Sequence, residues 1–336
     1  MLGLVGGLPS SGTTALLHLV ARSDGVRALH ETGIFAHPGA YGQYSEFKAN
    51  FLGILRSKGF GDLDESERLR KGISPHVLAN SSRLRECGVE FGEVVEAVSR
   101  SGDVAGYIEA LTALFLGGRS AAHLIEKTPS NIYAYRSFLD GDPARRVVAT
   151  VRDPLDNVAS LTSRGIPRIR AIGMWMVDAA IIASLTNRPG MLVVPYERMI
   201  ADGDATIDRL RGHFGLEGPV LGKPSIEVRG IPSAWRNQPW NAMSTSSVGR
   251  GLAETDSVDR ALFSRIRLVD APSMVSPDLV GRSGRHLAEA LGYALEDDPA
   301  IGDDRVAARY ATIRVLGRRI ETSNGRSSYY DNCVAL

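Results

Sequence analysis

A glycine-rich segment at residues 7–14 constrains the fold of this chain more than any other feature of its sequence. It reads GLPSSGTT and separates a short apolar run at 2–5 from an apolar-faced segment at 14–21. A buried strand, a glycine-rich loop and a helix form the arrangement that cradles phosphate, because N–H groups at a helix N-terminus attract anions. The alternative is a tight strand–helix turn with a cap. The segment therefore predicts an anion site.

Strand and helix patterns alternate along the rest of the chain, and this alternation predicts the whole fold. Further buried strands are predicted at residues 26–29, 123–126, 146–151 and 191–195. Helices are predicted at residues 131–139, 154–162, 168–186, 205–214, 277–291 and 303–319. Strands alternating with helices predict an α/β fold of the P-loop type, with an open parallel five-stranded sheet flanked by helices.

Two long segments do not follow this alternation. Residues from about 35 to 120 have a helical pattern and predict a large helical insertion, and residues from about 217 to 255 predict a substrate- or nucleotide-closing loop. We expect one domain at residues 1–295, followed by a C-terminal helical tail at 296–336.

Composition limits the classes of partner. A formal net charge of +1 gives no general affinity for nucleic acid or membrane surfaces. With only Cys87 and Cys333, and no apolar run near the roughly 20 residues of a membrane span, we expect a cytoplasmic protein without stable membrane association. The final residues CVAL fit a prenylation pattern but lack a basic cluster before them. The composition is typical of a bacterial chain, and a homo-oligomer stays possible.

The loop departs at one position from the loop that binds nucleoside triphosphates in P-loop proteins. Gly7, Gly12 and Thr14 occupy the fixed positions of G-x-x-x-x-G-K-[ST], but Thr13 replaces the lysine. A kinase uses that lysine, with Mg²⁺, against β- and γ-phosphate charge. The sequence thus disfavours a small-molecule kinase, which remains one alternative.

Residues 9–14 resemble the 5′-phosphosulfate loop, P-[KR]-S-G-T-T, of sulfotransferases that use 3′-phosphoadenosine 5′-phosphosulfate (PAPS). Ser10 stands where the family has a cation that contacts the bridging oxygen, so a non-catalytic protein that binds PAPS or its product PAP is a second alternative. The resemblance implies nucleotide binding by the residues of this loop, which are Pro9, Ser10, Ser11, Gly12, Thr13 and Thr14.

A second segment, RDPLDNVAS at residues 152–160, resembles the family's 3′-phosphate motif. The resemblance implies that Arg152 and Ser160 bind the phosphate, whereas Asp156 caps or orients. An arginine paired with Asp153 or Asp156 at a strand end is the alternative. Arg152 follows the predicted strand at 146–151, at the end where open α/β sheets bind ligands.

Weaker resemblances complete the nucleotide site. The segment EKTPSN at 126–131 is similar to one in bacterial and tyrosylprotein-type members. Tyr196 matches a tyrosine near the adenine, and Ser247 and Arg250 lie in a segment similar to a loop that closes over the nucleotide.

Sulfuryl transfer requires a base for the acceptor and positive charge on the departing oxygen. Glu31 matches the base of tyrosylprotein- and heparan-type members; His30, or neither residue, is the alternative. Lys127 is the candidate cation, with Arg250 as a possible helper.

The implied reaction moves a sulfuryl group from PAPS to the hydroxyl of a small molecule or glycan, without metal, and leaves PAP. Aromatic residues of the insertion and the closing loop are expected in the acceptor pocket: Phe35, Tyr41, Tyr44, Phe47, Trp235 and Trp240.

Overall fold

The predicted sheet is present in a computed structural model of the chain. The structure describes residues 1–57, 65–74, 81–118, 121–222, 245–324 and 329–336. Five parallel strands pair in the order β2-β3-β1-β4-β5. Their bounds are β1 Leu2–Gly7, β2 Val26–His30, β3 His123–Lys127, β4 Arg146–Val151 and β5 Met191–Pro195. The α/β fold class with a five-stranded parallel sheet is confirmed.

This strand order determines which loops are neighbours. β1 lies in the centre, between β3 and β4, so the loop after β1 is flanked by the carboxyl ends of both. Gly7, the last residue of β1, has φ +142°, and a side chain there would lie 2.3 Å from the Thr150 carbonyl oxygen. Glycine is therefore needed where the chain turns from β1 into the loop.

Helices cover both faces of the sheet. α1 and α12 pack on one face through a cluster that includes Leu17, Leu210 and Phe214, and α8, α9 and α10 belong to the larger core opposite. The helices that flank the sheet are α1 Thr13–Val20, α8 Tyr135–Asp140, α9 Pro154–Thr162, α10 Arg168–Ala183, α11 Tyr196–Ala201 and α12 Gly203–Phe214. The predicted helix at 131–139 instead begins as a 3₁₀ turn, Pro129–Tyr133, followed by α8.

The predicted insertion is helical between β2 and β3. Its helices are α2 Gly39–Gly42, α3 Tyr44–Ser57, α4 Glu65–Arg70, α5 Ser81–Glu86, α6 Phe91–Arg100 and α7 Val104–Leu116. α6 and α7 begin at acidic caps, where Asp103 accepts the Gly106 N–H at 2.8 Å. Such caps satisfy amides that have no partner inside the helix.

The C-terminal part of the chain, from Arg250 onward, contains helices and a small two-stranded sheet. Its elements are α13 Arg250–Glu254, α14 Ser257–Arg265, β6 Arg267–Leu268, a 3₁₀ turn Pro277–Leu279, α15 Gly284–Ala290, α16 Asp303–Asn324, α17 Tyr329–Asn332 and β7 Val334–Ala335. A turn that contains Gly281, with φ +87°, interrupts the helix predicted at 277–291. β7 pairs with β6 and returns the chain end to the body of the molecule.

The residues that fit the prenylation pattern are packed against the body of the molecule. Cys333 is fully buried, and its carbonyl oxygen accepts the Val269 N–H at 2.8 Å. No helix in the described part of the chain is long and apolar enough to cross a membrane.

Candidate functional site

The loop at residues 7–14 forms an open cradle at the N-terminus of α1. Gly12 precedes α1 with φ +85°, and the α1 amides have no side-chain cap. Among the described residues, the backbone N–H groups of residues 12–15 donate to no protein acceptor. A Gly12 side chain would lie 2.5 Å from the Tyr196 ring, so this position must stay glycine. The arrangement suits an anion at the positive end of the helix dipole.

Other loop residues maintain the shape of this cradle. The buried Ser11 hydroxyl donates to the Leu8 carbonyl oxygen at 2.6 Å and lies 2.5 Å from Thr150 Oγ1. The Ser11 N–H also donates to Leu8 O. These bonds favour a loop-shaping role over the predicted ligand role for the Ser11 side chain. The Pro9 carbonyl accepts Asn157 Nδ2 at 2.7 Å, which ties the loop to α9.

Four predicted residues meet where β2 and β3 end, in what we call the Glu31 corner: Thr14, His30, Glu31 and Lys127. Lys127 Nζ donates to Glu31 Oε1 at 2.6 Å and to Thr14 Oγ1 at 2.9 Å. The Lys127 side chain is fully buried, whereas 29 % of the Glu31 side chain is exposed. His30 Nε2 lies 3.4 Å from Thr14 Oγ1 and 3.9 Å from Glu31 Oε1. Both base candidates therefore lie beside the loop, and Glu31 is the more accessible.

A second group meets where β4 and β5 end, in what we call the Arg152 corner: Ser10, Arg152, Asp156, Tyr196 and Ser247. Arg152 donates to the Ser10 carbonyl at 3.1 Å and to the Ser247 carbonyl at 2.5 Å. Its guanidinium lies 4.6 Å from the centre of the Tyr196 ring, and Tyr196 Oη is 2.9 Å from Ser247 Oγ. Arg152 thus joins the phosphate loop, the start of α11 and the closing loop.

Asp156 has the orienting role predicted for it. Its buried carboxylate accepts the N–H groups of Gly249 at 2.9 Å and Gly251 at 2.6 Å. Arg152 Nη2 is 3.8 Å from Asp156 Oδ2, so the alternative of a paired arginine is also partly realised. The carboxylate therefore fastens the start of α13 against α9.

The cationic side of the site includes one residue that the sequence analysis missed. Ser160 is buried on α9, and Arg164 lies four residues further on. Although Arg164 is exposed at the surface, partial desolvation and then the positive charges of Arg152 and Arg250 lower its pKa, while Glu31 raises it. Arg250 is also 3.3 Å from Glu254 Oε1. The one-turn spacing from Ser160 is the signal that could have identified Arg164.

The predicted acceptor aromatics lie elsewhere. Phe35, Tyr41, Tyr44 and Phe47 are buried and pack around Tyr107, with ring centres 5.7–6.4 Å apart. They form the core of the insertion rather than the wall of a pocket, because buried rings stabilise small helical layers. Trp235 and Trp240, with residues 223–244 of the closing loop, lie outside the described residues.

Comparisons with known proteins bear on the family and the fold of the chain. The model of a family described as "Sulfotransferase family" matches residues 4–219. Two solved structures share the fold. The first is the sulfotransferase domain of the Synechococcus PCC 7002 olefin synthase, which is 17 % identical with a TM-score of 0.52. The match covers 88 % of this chain and 95 % of that one. The sulfotransferase domain of the curacin biosynthetic pathway has 13 % identity and TM-score 0.52, covering 88 % and 98 %. A search of curated proteins found no match.

Proposed function

We propose that this chain, which belongs to the sulfotransferase family and is a sulfotransferase enzyme, takes its sulfuryl group from PAPS and delivers it to a hydroxyl. The observation that carries the proposal is the Glu31–Lys127 pair, 2.6 Å apart beside the open cradle at the start of α1. This pair places a base and a cation together beside one anion site. Family membership also favours a sulfotransferase over the kinase and the non-catalytic alternatives.

The residues present fit a nucleotide with two anionic ends. The amides of residues 12–15, with the Thr13 and Thr14 hydroxyls, would hold the 5′-phosphosulfate. Arg152, Ser160 and the missed Arg164 would hold the 3′-phosphate, and Tyr196 would lie beside the adenine. Ser247 and Arg250 would close over the nucleotide. Arg152 Nε is buried without an acceptor in the described part of the chain, which supports an anion there.

The proposed transfer is an in-line displacement. The acceptor oxygen attacks sulfur as its proton passes to a Glu31 oxygen, and the bond between sulfur and the bridging oxygen breaks. PAP leaves with the negative charge that forms on that oxygen. Because Ser10 is neutral, Lys127 is the group that stabilises this charge. The products are PAP and a sulfate ester, and no metal takes part.

The acceptor is proposed only as a broad chemical class. A small molecule or glycan hydroxyl suits a base whose side chain is 29 % exposed. We also propose a cytoplasmic location, since Cys87 and Cys333 are not joined in a disulfide.

The direct test is transfer to a panel of alcohols, phenols and sugars. Protein and PAPS are incubated with each acceptor, and PAP and the sulfate ester are measured together by mass spectrometry. We expect equal amounts of both products with at least one acceptor. Phosphorylation of an acceptor from ATP, with no PAP released from PAPS, would contradict the proposal.

A further inference from the structure

The proposed reaction does not use Glu126, a carboxylate directly before Lys127 on β3. The residue is fully buried. Its Oε1 accepts the Thr32 N–H at 3.1 Å, the Thr32 hydroxyl at 2.9 Å and the Thr128 hydroxyl at 2.6 Å. Its Oε2 accepts Asn131 Nδ2 at 2.7 Å. Such a buried group with four donors organises the structure around it.

These bonds converge on the turn that carries Glu31. Glu31 has φ +52°, in the left-handed region where a residue with a side chain is held only by its surroundings. Its N–H donates to the Lys127 carbonyl at 2.6 Å. The Gly33 N–H donates to Thr128 Oγ1 at 3.1 Å, and that hydroxyl donates in turn to Glu126. Each amide of residues 31–33 is thus fixed to the end of β3 or the residue after it.

We propose that Glu126 is a positioning residue for sulfuryl transfer, which holds the turn at residues 31–33 so that the Glu31 carboxylate faces Lys127 Nζ. This inference rests on the proposed function. The buried Glu126 carboxylate is already bonded by four protein donors, so we assign it no contact with a substrate. It acts through Thr32 and Thr128, and a loss of these bonds releases Glu31 from the base position.

The chemistry of the site requires a carboxylate there. All the groups that meet Glu126 are donors: one backbone N–H, two hydroxyls and one amide. An ionised carboxylate accepts only, whereas a glutamine would turn an NH₂ group toward a donor. Burial raises the pKa of Glu126, and the hydrogen bonds from Thr128, Asn131 and Thr32 offset only part of that shift. The geometry still suits a carboxylate, because every partner is a donor and none is an acceptor.

The first experiment compares Thr128→Val with Thr128→Ser. Valine has the shape of threonine without the hydroxyl that joins Gly33 to Glu126, and serine restores the hydroxyl. We expect Thr128→Val to lower kcat about 10- to 100-fold, the usual effect of losing a supporting hydrogen bond. The KM for PAPS and the Kd for PAP should change less than about threefold, and Thr128→Ser should have nearly wild-type kcat.

A second readout does not depend on activity. Amide hydrogen exchange at residues 31–33 should accelerate in Thr128→Val and in Glu126→Gln, but not in Thr128→Ser. Asp178→Asn is the matched control for Glu126→Gln, because it also changes a buried carboxyl to an amide. It lies outside both corners, so exchange at residues 31–33 and kcat should stay close to wild type.

The outcomes separate the two proposals. If the wild-type protein transfers no sulfuryl group to any acceptor, the proposed function fails, and hydrogen exchange alone decides whether Glu126 holds the turn. Unchanged exchange in Thr128→Val and Glu126→Gln would overturn the inference. So would faster exchange with unchanged kcat, or a fall in PAP affinity that parallels the fall in kcat.

Discussion

The Glu31 corner and the Arg152 corner lie on opposite sides of the same phosphate loop, and they use their charges differently. In the Glu31 corner, Lys127 and Glu31 pair with each other, and the carboxylate stays partly exposed. In the Arg152 corner, the cation is almost fully buried and bonds the carbonyls of Ser10 and Ser247. An arginine that bonds backbone carbonyls stabilises the loops around it, whereas a partly exposed carboxylate can accept a proton from a substrate.

This difference suggests that the two corners have separate tasks at the carboxyl edge of the sheet, catalysis in one and nucleotide binding in the other. We expect changes in the Glu31 corner to lower the rate of transfer, and changes in the Arg152 corner to weaken nucleotide binding. A general base acts on the acceptor and leaves donor affinity intact. The following substitutions test that division.

The largest effect is expected for Glu31→Gln, which keeps the shape of the side chain and removes its basicity. Single-turnover transfer from saturating PAPS to an alcohol should fall on the order of 10²- to 10⁴-fold. PAP affinity should stay within about threefold, since the carboxylate is not a phosphate ligand. The loss should be smaller for an acidic phenol, which ionises more readily.

His30→Ala is the matched control for this change, because His30 is the other base candidate in the same corner. We expect a smaller effect on transfer. If His30→Ala abolishes transfer while Glu31→Gln retains more than about a tenth of it, the base is His30.

A smaller effect, on binding, is expected for Arg152→Ala. Removing the cation should weaken PAP binding by about 2–4 kcal/mol, or about 30- to 700-fold in Kd. Adenosine 5′-phosphosulfate lacks the 3′-phosphate, so its affinity should change only a few-fold, through the lost bond to the Ser10 carbonyl. Titration calorimetry measures both ligands. Equal weakening of the two would show that Arg152 only shapes the loop.

The smallest effect on function is expected at Asp178, a buried carboxyl on α10 that serves as a reference outside both corners. Burial raises its pKa to about 7, although the hydrogen bond from Tyr133 lowers it. The folded protein therefore keeps a proton that the unfolded chain loses near pH 4, and stability falls as pH rises from about 4 to about 7. Asp178→Asn removes this titration.

Urea unfolding at pH 5 and pH 8 measures the consequence. The stability of Asp178→Asn relative to wild type should increase by about 3 kcal/mol between these pH values, because the titration spans about two pKa units at about 1.4 kcal/mol each. A difference that does not depend on pH would show that Asp178 is ionised throughout this range. PAP affinity should be unchanged, since the residue belongs to neither corner.

The sequence predicted the sheet well because its strands have a strong local signature. β4 and β5 begin and end at the predicted residues, since apolar runs bounded by turn residues define a buried strand. The order of the strands was not predicted, because it depends on which faces pack together. The small pair β6–β7 was also missed, since it joins residues far apart in the chain.

The sequence predicted some residues of the candidate site and missed the placement of others. The resemblance to sulfotransferase motifs pointed to Glu31, Lys127 and Arg152, and the fold brings all three beside one loop. Spacing could not show that the Ser11 hydroxyl turns inward or that the aromatics of the insertion are buried, because both depend on long-range packing. Arg164 was not predicted because its interactions are with charges on other segments, those of Arg152, Arg250 and Glu31.

The most direct test of the account is the affinity of the protein for PAP and for ATP, measured by calorimetry with Mg²⁺ and with EDTA. The loop has threonine in place of the lysine that serves triphosphates, and the Arg152 corner suits a second phosphate. We therefore predict that PAP binds with equal affinity in Mg²⁺ and in EDTA, and more tightly than Mg-ATP. Tighter binding of Mg-ATP than of PAP would contradict the account.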